Sequence, residues 1–212
     1  MLEQNEKQMV NLDNIVAKAN NRKRLTVGID VDNVLFRIPL IEHLNMVFEE
    51  KYTYEHFVDW DGGNFPDHHR HEMFAAFKSP EFMCKTKSYL GNYSTIRDWK
   101  LAGHRMIAIT RRAPNLYDGT RWQLEKEFPG AFSKLIFVAP NESKADWLLD
   151  VGADVHIDDY DVLDAAEAGI KTWLITNEET RYNWDLRESE YLNQALELKY
   201  VKLGKDEEKW FR

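Results

Sequence analysis

Two aspartates, Asp30 and Asp32, follow the apolar run Thr26-Val27-Gly28-Ile29. A short run rich in branched residues reads as a buried parallel strand. Side chains two apart on an extended chain point to one side, so both carboxylates emerge together at the strand's carboxyl end. In open α/β sheets that is where ligands bind. Like charges so close raise each other's pKa unless a cation holds them, and a hard, oxygen-loving ion such as Mg²⁺ is the natural partner.

Three more groups of this kind occur later. Met106-Ile107-Ala108-Ile109 ends in the hydroxyl of Thr110, followed by Arg111 and Arg112. Lys144 comes just after the run Leu135–Val138, with Lys134 at that run's start as the competing lysine. Val155-His156-Ile157 ends in a second acidic pair, Asp158-Asp159. The order is therefore carboxylate pair, hydroxyl, lysine, carboxylate pair, each near the carboxyl end of a strand. Taken alone, each motif also fits an ordinary loop or helix cap; the weight lies in the set.

The elements that position these groups follow from periodicity. Apolar runs predict five strands: Leu25–Ile29, Met106–Ile109, Leu135–Val138, Val155–Ile157 and Thr172–Ile175. Helical patterns over about 92–102, 118–128, 142–151 and 161–168 alternate with the later strands, with Gly103, Gly130, Gly152 and Gly169 near their ends. Asp161 and Asp164 read as a cap and a first-turn acid of the last helix. Strands alternating with helices predict right-handed crossovers and a parallel sheet covered on both faces. Residues 37–91 are too many for one crossover, so a mainly helical subdomain is expected there, with helices over Ile38–Tyr52 and Asp67–Phe77. The predicted organisation is a core of residues 1–36 and 92–212 with a helical cap of residues 37–91, placed over the aspartates as a lid. An amphipathic helix is read over 3–20, packing on the chain's own core or on a second copy in a homodimer.

The order of motifs resembles that of the haloacid dehalogenase superfamily, on Asp30-Val31-Asp32, Thr110, Lys144 and Asp158-Asp159 across about residues 25–176. The second aspartate is similar to the phosphatase branch, and the pattern Asp-x-Asp-x-Val with an early aromatic cap resembles the 5′(3′)-deoxyribonucleotidases. The resemblance implies a three-layer α/β/α Rossmann-like sheet and Mg²⁺-dependent hydrolysis of a phosphate monoester. It assigns Asp30 as nucleophile and Asp32 as general acid and base. Asp30, the Asp32 carbonyl and Asp158 would hold Mg²⁺. Thr110 and Lys144 would bind phosphoryl oxygens, and Asp159 would orient metal-bound water. Asn33 stands where glycine is usual in the family; asparagine enters left-handed backbone more readily than other non-glycine residues.

For substrate contacts, Arg111 offers guanidinium geometry for phosphate, against a solvated loop. Phe36 and Trp60 are candidates for stacking on a base. Most of the aromatics between Phe48 and Tyr89 read as the core of the small subdomain, and His68-His69-Arg70-His71 reads as polar lid surface rather than a second metal site. Thr180-Arg181-Tyr182-Asn183-Trp184 loosely resembles a Tyr-Asn loop of the same nucleotidases, and Lys202–Arg212 reads as a solvated charged end.

The formal net charge of −8 argues against duplex nucleic acid as a partner and favours a small phosphorylated metabolite, a nucleotide first. A lone Cys84, no apolar run of membrane-spanning length and no apolar leader predict a soluble, cytoplasmic protein. Three alternatives remain open at this level: a polynucleotide 3′-phosphatase, a sugar-phosphate phosphatase and a binding module without activity.

Overall fold

The computed structural model describes residues 24–189 and 192–203. The helix read over 3–20 and most of the charged end after Lys202 lie outside the described residues. Six strands form one parallel sheet: β1 (Thr26–Ile29), β4 (Arg105–Thr110), β5 (Phe132–Phe137), β6 (Val155–Asp158), β7 (Lys171–Ile175) and β8 (Asn193–Ala195). Their spatial order is β5-β4-β1-β6-β7-β8, with each neighbouring pair parallel. The chain winds outward from β1 through β4 to β5, then returns to the other side of β1 and winds outward again. The reversal leaves a crevice at the carboxyl end of β1.

Strand alternation divides the core in two. Val27, Ile29, Met106, Ala108, Val155 and Ile157 face one side and pack with Ile96 of helix Asn92–Leu101 and Leu124 of helix Tyr117–Glu127. Ile107, Ile109 and Ile136 face the other, against Ala145 and Leu148 of helix Lys144–Asp150 and Ala165 of helix Leu163–Glu167. The result is the three-layer α/β architecture expected from the sequence, with all five predicted strands present. Gly103, Gly130, Gly152 and Gly169 take positive φ of 82°, 59°, 65° and 82°, the left-handed turn that ends a helix.

Gly28 does different work. A methyl group there would lie 2.2 Å from Leu148 Cδ2, so the missing side chain lets helix Lys144–Asp150 sit directly on β1. Ser143 caps that helix by accepting the Ala145 N–H at 3.1 Å. Gly28→Ala is expected to cost about 1–3 kcal/mol through overpacking, read from the urea midpoint, and to displace Lys144 with its helix. An unchanged midpoint would show that Leu148 yields freely.

Between β1 and β4 the chain forms helices Leu40–Phe48, Asp67–Lys78 and Pro80–Met83, linked by a 3₁₀ turn at Tyr54–His56. Ile41, Leu44, Phe57, Phe65 and Met73 build a second hydrophobic cluster there, completed by Leu116 and Tyr182. Two short strands, β2 (Phe36–Arg37) and β3 (Lys87–Ser88), pair antiparallel where this segment leaves and returns. Neither they nor β8 were expected: two or three residues, partly polar, carry no strand periodicity. His69 departs from the polar surface expected of its neighbours. It is buried, stacked on Phe48 with ring centroids 3.9 Å apart, and its Nδ1 lies 2.9 Å from the Tyr52 hydroxyl.

Candidate active site

Because β1 and β6 are neighbours and run in parallel, Asp30 just past β1 and Asp158 at the end of β6 come side by side. Gly28 and His156 precede them by two residues on the same face, the one covered by helix Lys144–Asp150. Lys144, the first residue of that helix, is buried and reaches both carboxylates, at 2.5 Å from Asp30 Oδ1 and 2.6 Å from Asp158 Oδ2. Lys134 sits on an exposed position over the Trp147 ring, away from this pair. Oxygens of Asp30, Asp158 and Asp159, all buried, lie within 4.8 Å of one another.

The loops complete the coordination of charge. Asp30 Oδ2 accepts the Asp32 N–H at 2.8 Å, and Asp158 Oδ1 accepts the N–H groups of Tyr160 and Asp161 at 2.9 and 3.1 Å. His156, inside β6, places Nε2 3.1 Å from Asp158 Oδ2. Thr110 is buried at the end of β4; its hydroxyl oxygen accepts the Arg112 N–H at 3.1 Å, leaving its own proton to donate elsewhere.

The electrostatics are those of a site with surplus negative charge. Burial, and then the neighbouring Asp158 and Asp159 against an opposing Lys144, push the Asp30 carboxyl well above the usual range. Burial and Asp158 push Asp159 up to about 8. Burial also opposes ionisation of Asp158, but Lys144 and then His156 outweigh it and hold its pKa low. Lys144 itself is raised, because Asp158 and Asp30 overcome its desolvation. One lysine does not balance three carboxylates in so small a volume. The donor set, all hard oxygens, fits a divalent ion such as Mg²⁺.

A pH dependence follows. Asp159 binds its proton more tightly folded than unfolded, so its contribution to stability is complete below pH 3.8 and is lost as pH rises through about 8. Asp158 has the opposite sign, but only below its ordinary 3.8. In chelator, the urea midpoint is therefore expected to fall between pH 5 and pH 8, and added Mg²⁺ to raise it most at pH 8. A midpoint in chelator that rose over this range would contradict the charge balance described here.

Asp32 stands apart from the cluster around Lys144. Its carboxylate meets Arg112, whose Nη2 lies 2.7 Å and Nε 3.0 Å from Oδ1. Arg111, weighed for phosphate, instead pairs with Asp161 and donates to the carbonyls of Ala139 and Glu142 at 2.9 Å each. Asp161 is also not the helix cap that was expected: the N-cap position is Val162, with no side-chain cap, while Asp164 does lie in the first turn. Phe36 is a correction: it is fully buried in β2 against Phe128, with no face open for a base. Trp60 is 45% exposed and stacks with Tyr160 at the edge of a cleft of about 550 Å³.

Asn33 takes the left-handed conformation at φ 54°, as its type allows. Its amide donates to the Tyr182 hydroxyl at 2.8 Å and accepts the Ile38 N–H at 3.2 Å. Tyr182 in turn donates to Asp159, and Asn183 donates to the Asp159 carbonyl. The Tyr-Asn pair after β7 thus supports the second acidic pair. His156 had a local signal, its place two residues before Asp158 on the same strand; Tyr182 was marked by the loose resemblance of its segment to a Tyr-Asn loop, but only the tertiary fold brings it to Asp159.

No model of a known protein family matches the sequence, and no curated protein matches it either. Solved structures do. A phosphoglycolate phosphatase candidate from Lactobacillus delbrueckii subsp. bulgaricus is 14% identical, covering 82% of this chain and 95% of that one at a TM-score of 0.58. The D,D-heptose 1,7-bisphosphate phosphatase of B. bronchiseptica, solved with magnesium and phosphate, is 14% identical over 83% of this chain and 94% of its own, at 0.53. A haloacid dehalogenase-like family hydrolase from Streptococcus pneumoniae is 12% identical over 72% and 85%, also at 0.53. At such identities the likeness is one of architecture, and on that ground the chain has the haloacid dehalogenase-like fold.

Proposed function

We propose that this protein is a Mg²⁺-dependent phosphomonoesterase working through an aspartyl-phosphate on Asp30, with nucleoside monophosphates as substrates. The observation that carries the reading is the buried bridge of Lys144 between Asp30 and Asp158, with Asp159 alongside, at the carboxyl ends of the two central strands. Asp30, the Asp32 carbonyl and Asp158 would hold the ion, which supplies charge neutralisation between an anionic carboxylate and an anionic phosphate. Asp30 attacks phosphorus, and Asp32 gives a proton to the leaving oxygen and later takes one from the attacking water. Thr110 donates to a phosphoryl oxygen, and Lys144 keeps the nucleophile and the phosphoryl charge in balance. Residues 37–91 act as the cap that shields this chemistry from water.

The nucleotide assignment is supported by the aromatic cleft next to Tyr182, which Trp60, Tyr160 and Trp184 also line. In the same lining Asp59, Asp61 and Asp185 outnumber the single cation, Arg181, and this balance disfavours a second phosphate, which argues against polynucleotide ends and sugar bisphosphates. The same acids favour a second reading, an amino-alcohol phosphate whose ammonium sits among rings and carboxylates. Phosphate release from nucleoside monophosphates, sugar phosphates, a 3′-phosphorylated oligonucleotide and an amino-alcohol phosphate, each with and without Mg²⁺, separates these. Release from mononucleotides alone supports the proposal; turnover of the oligonucleotide or of sugar phosphates in their place would overturn the substrate assignment.

A further inference from the structure

Arg112 is held on both edges of its guanidinium. Its side chain is 1% exposed, whereas that of Asp32 is 23% exposed. Nε contacts both Asp32 oxygens, at 3.0 and 3.1 Å, and Nη2 contacts Oδ1 at 2.7 Å. The remaining edge of the guanidinium is held from behind, Nη1 donating to Thr120 Oγ1 at 2.9 Å and to Gln123 Oε1 at 2.8 Å. Both anchors lie on helix Tyr117–Glu127 and are buried. Gln123 is fixed in turn, its amide donating to the Met83 carbonyl and to Thr86 Oγ1 at 3.0 Å each. A planar fork held on two sides has no rotamer left to explore, and so neither has the carboxylate it grips.

We propose that Arg112 is a positioning residue for Asp32, fixing the plane of the carboxyl that exchanges a proton with the leaving oxygen, and that Thr120 and Gln123 set Arg112. The inference rests on the reading of Asp32 as general acid. In the step concerned, Asp30 oxygen bonds to phosphorus, the P–O bond to the leaving group breaks with its electron pair on the leaving oxygen, and the Asp32 proton moves onto that oxygen. Such a transfer needs the acid within hydrogen-bond reach in the right plane. Asp32 keeps part of its side chain exposed while the buried Arg112 grips its carboxylate. A guanidinium serving as a phosphate ligand would need donors turned to the site. Those of Arg112 go instead to Asp32, Thr120 and Gln123.

The test varies the leaving group. An aryl phosphate with a nitrophenolate leaving group departs without protonation, whereas an alkyl phosphate needs the acid. Arg112→Lys is expected to lower kcat/KM, which reports departure of the leaving group and not the later hydrolysis of the shared aspartyl-phosphate, about 10²-fold on the alkyl ester and less than about threefold on the aryl ester. Gln123→Met, which leaves Arg112 in place, should give a smaller loss with the same preference, and carries the test if Arg112→Lys does not fold. Equal losses on both esters, or none, would overturn the inference, since a phosphate contact or a purely structural residue cannot distinguish leaving groups. Asp32→Asn run in parallel locates the failure. If it is selective while Arg112→Lys and Gln123→Met are not, the positioning role is wrong. If Asp32→Asn is itself unselective, the reading of Asp32 as the acid falls first.

Discussion

Asp30→Asn is expected to lower phosphate release by at least about 10⁴-fold without lowering the thermal midpoint. The two halves of this result have one cause. Asp30 is buried beside Asp158 and Asp159, and its carboxyl is pushed well above the usual range chiefly by that burial. A neutral amide of the same shape relieves the crowding of charge but gives up one hydrogen bond, since Lys144 and the Asp32 N–H meet separate oxygens of the carboxylate and the amide has a single acceptor. Lys144 keeps Asp158 as its charged partner. The variant loses the nucleophile and gains a less strained site, the trade between activity and stability expected where function demands a buried charge. Single-turnover phosphate release and a calorimetric scan at pH 8 read both halves. Residual turnover within tenfold of wild type would remove Asp30 from the nucleophile's role, whatever the midpoint.

Lys144→Met reverses the balance and should be the most destabilising single change in the site. It leaves Asp30 and Asp158, both almost fully buried, without the ammonium that bridges them. Removing one partner of a buried ion pair typically costs about 3–5 kcal/mol, because the remaining charge is left uncompensated. The methionine fills the channel of the lysine stem, so the loss is one of charge rather than of packing. The deficit should be smaller at pH 5 than at pH 8, since protonation of the abandoned carboxyls relieves it. Magnesium should restore part of the lost stability by taking the lysine's place in the charge balance. Activity is expected to disappear in either case. An unchanged urea midpoint at pH 8 would mean that the bridge carries no net stabilisation.

What the sequence made legible was whatever is local. Val27, Ile29, Ala108 and Ile157 announced their strands by branching and hydrophobicity, and the glycines after the helices announced their turns. The acids could be placed because each pair sits at the end of such a run, and the lysine because it opens the helix after one; a parallel sheet must bring those ends together. Side-chain partnership was not legible in the same way. Arg111 and Arg112 are adjacent and chemically identical, yet one pairs with Asp161 and the other with Asp32. Which arginine turns which way depends on Thr120 and Gln123, whose helix packs across the strand. Phe36 failed as a base-stacking candidate for a similar reason, since its place next to the first motif said nothing of Phe128 waiting in the core. The link from Asn33 through Tyr182 to Asp159 spans well over a hundred residues of sequence and exists only once β1, β6 and the segment after β7 are assembled.

The small ribbon of β2 and β3 has a consequence for how such a chain can change over generations. Phe36 pairs with Ser88 and Arg37 with Lys87, and Asn92 donates to the carbonyls of Val34 and Leu35 at 2.9 and 3.1 Å. The departing and returning stretches are therefore stitched together at the root, independently of what lies between them. Closing a longer loop across such a root costs only about 0.6 kcal/mol for each doubling of its length. The stretch between Arg37 and Lys87 can therefore change in length while the stem holds the same register, within the limits set by Leu116 and Tyr182, which pack against it, and by Met83 and Thr86, which hold Gln123. Such changes leave Asp30, Thr110, Lys144 and Asp158 where the sheet already put them.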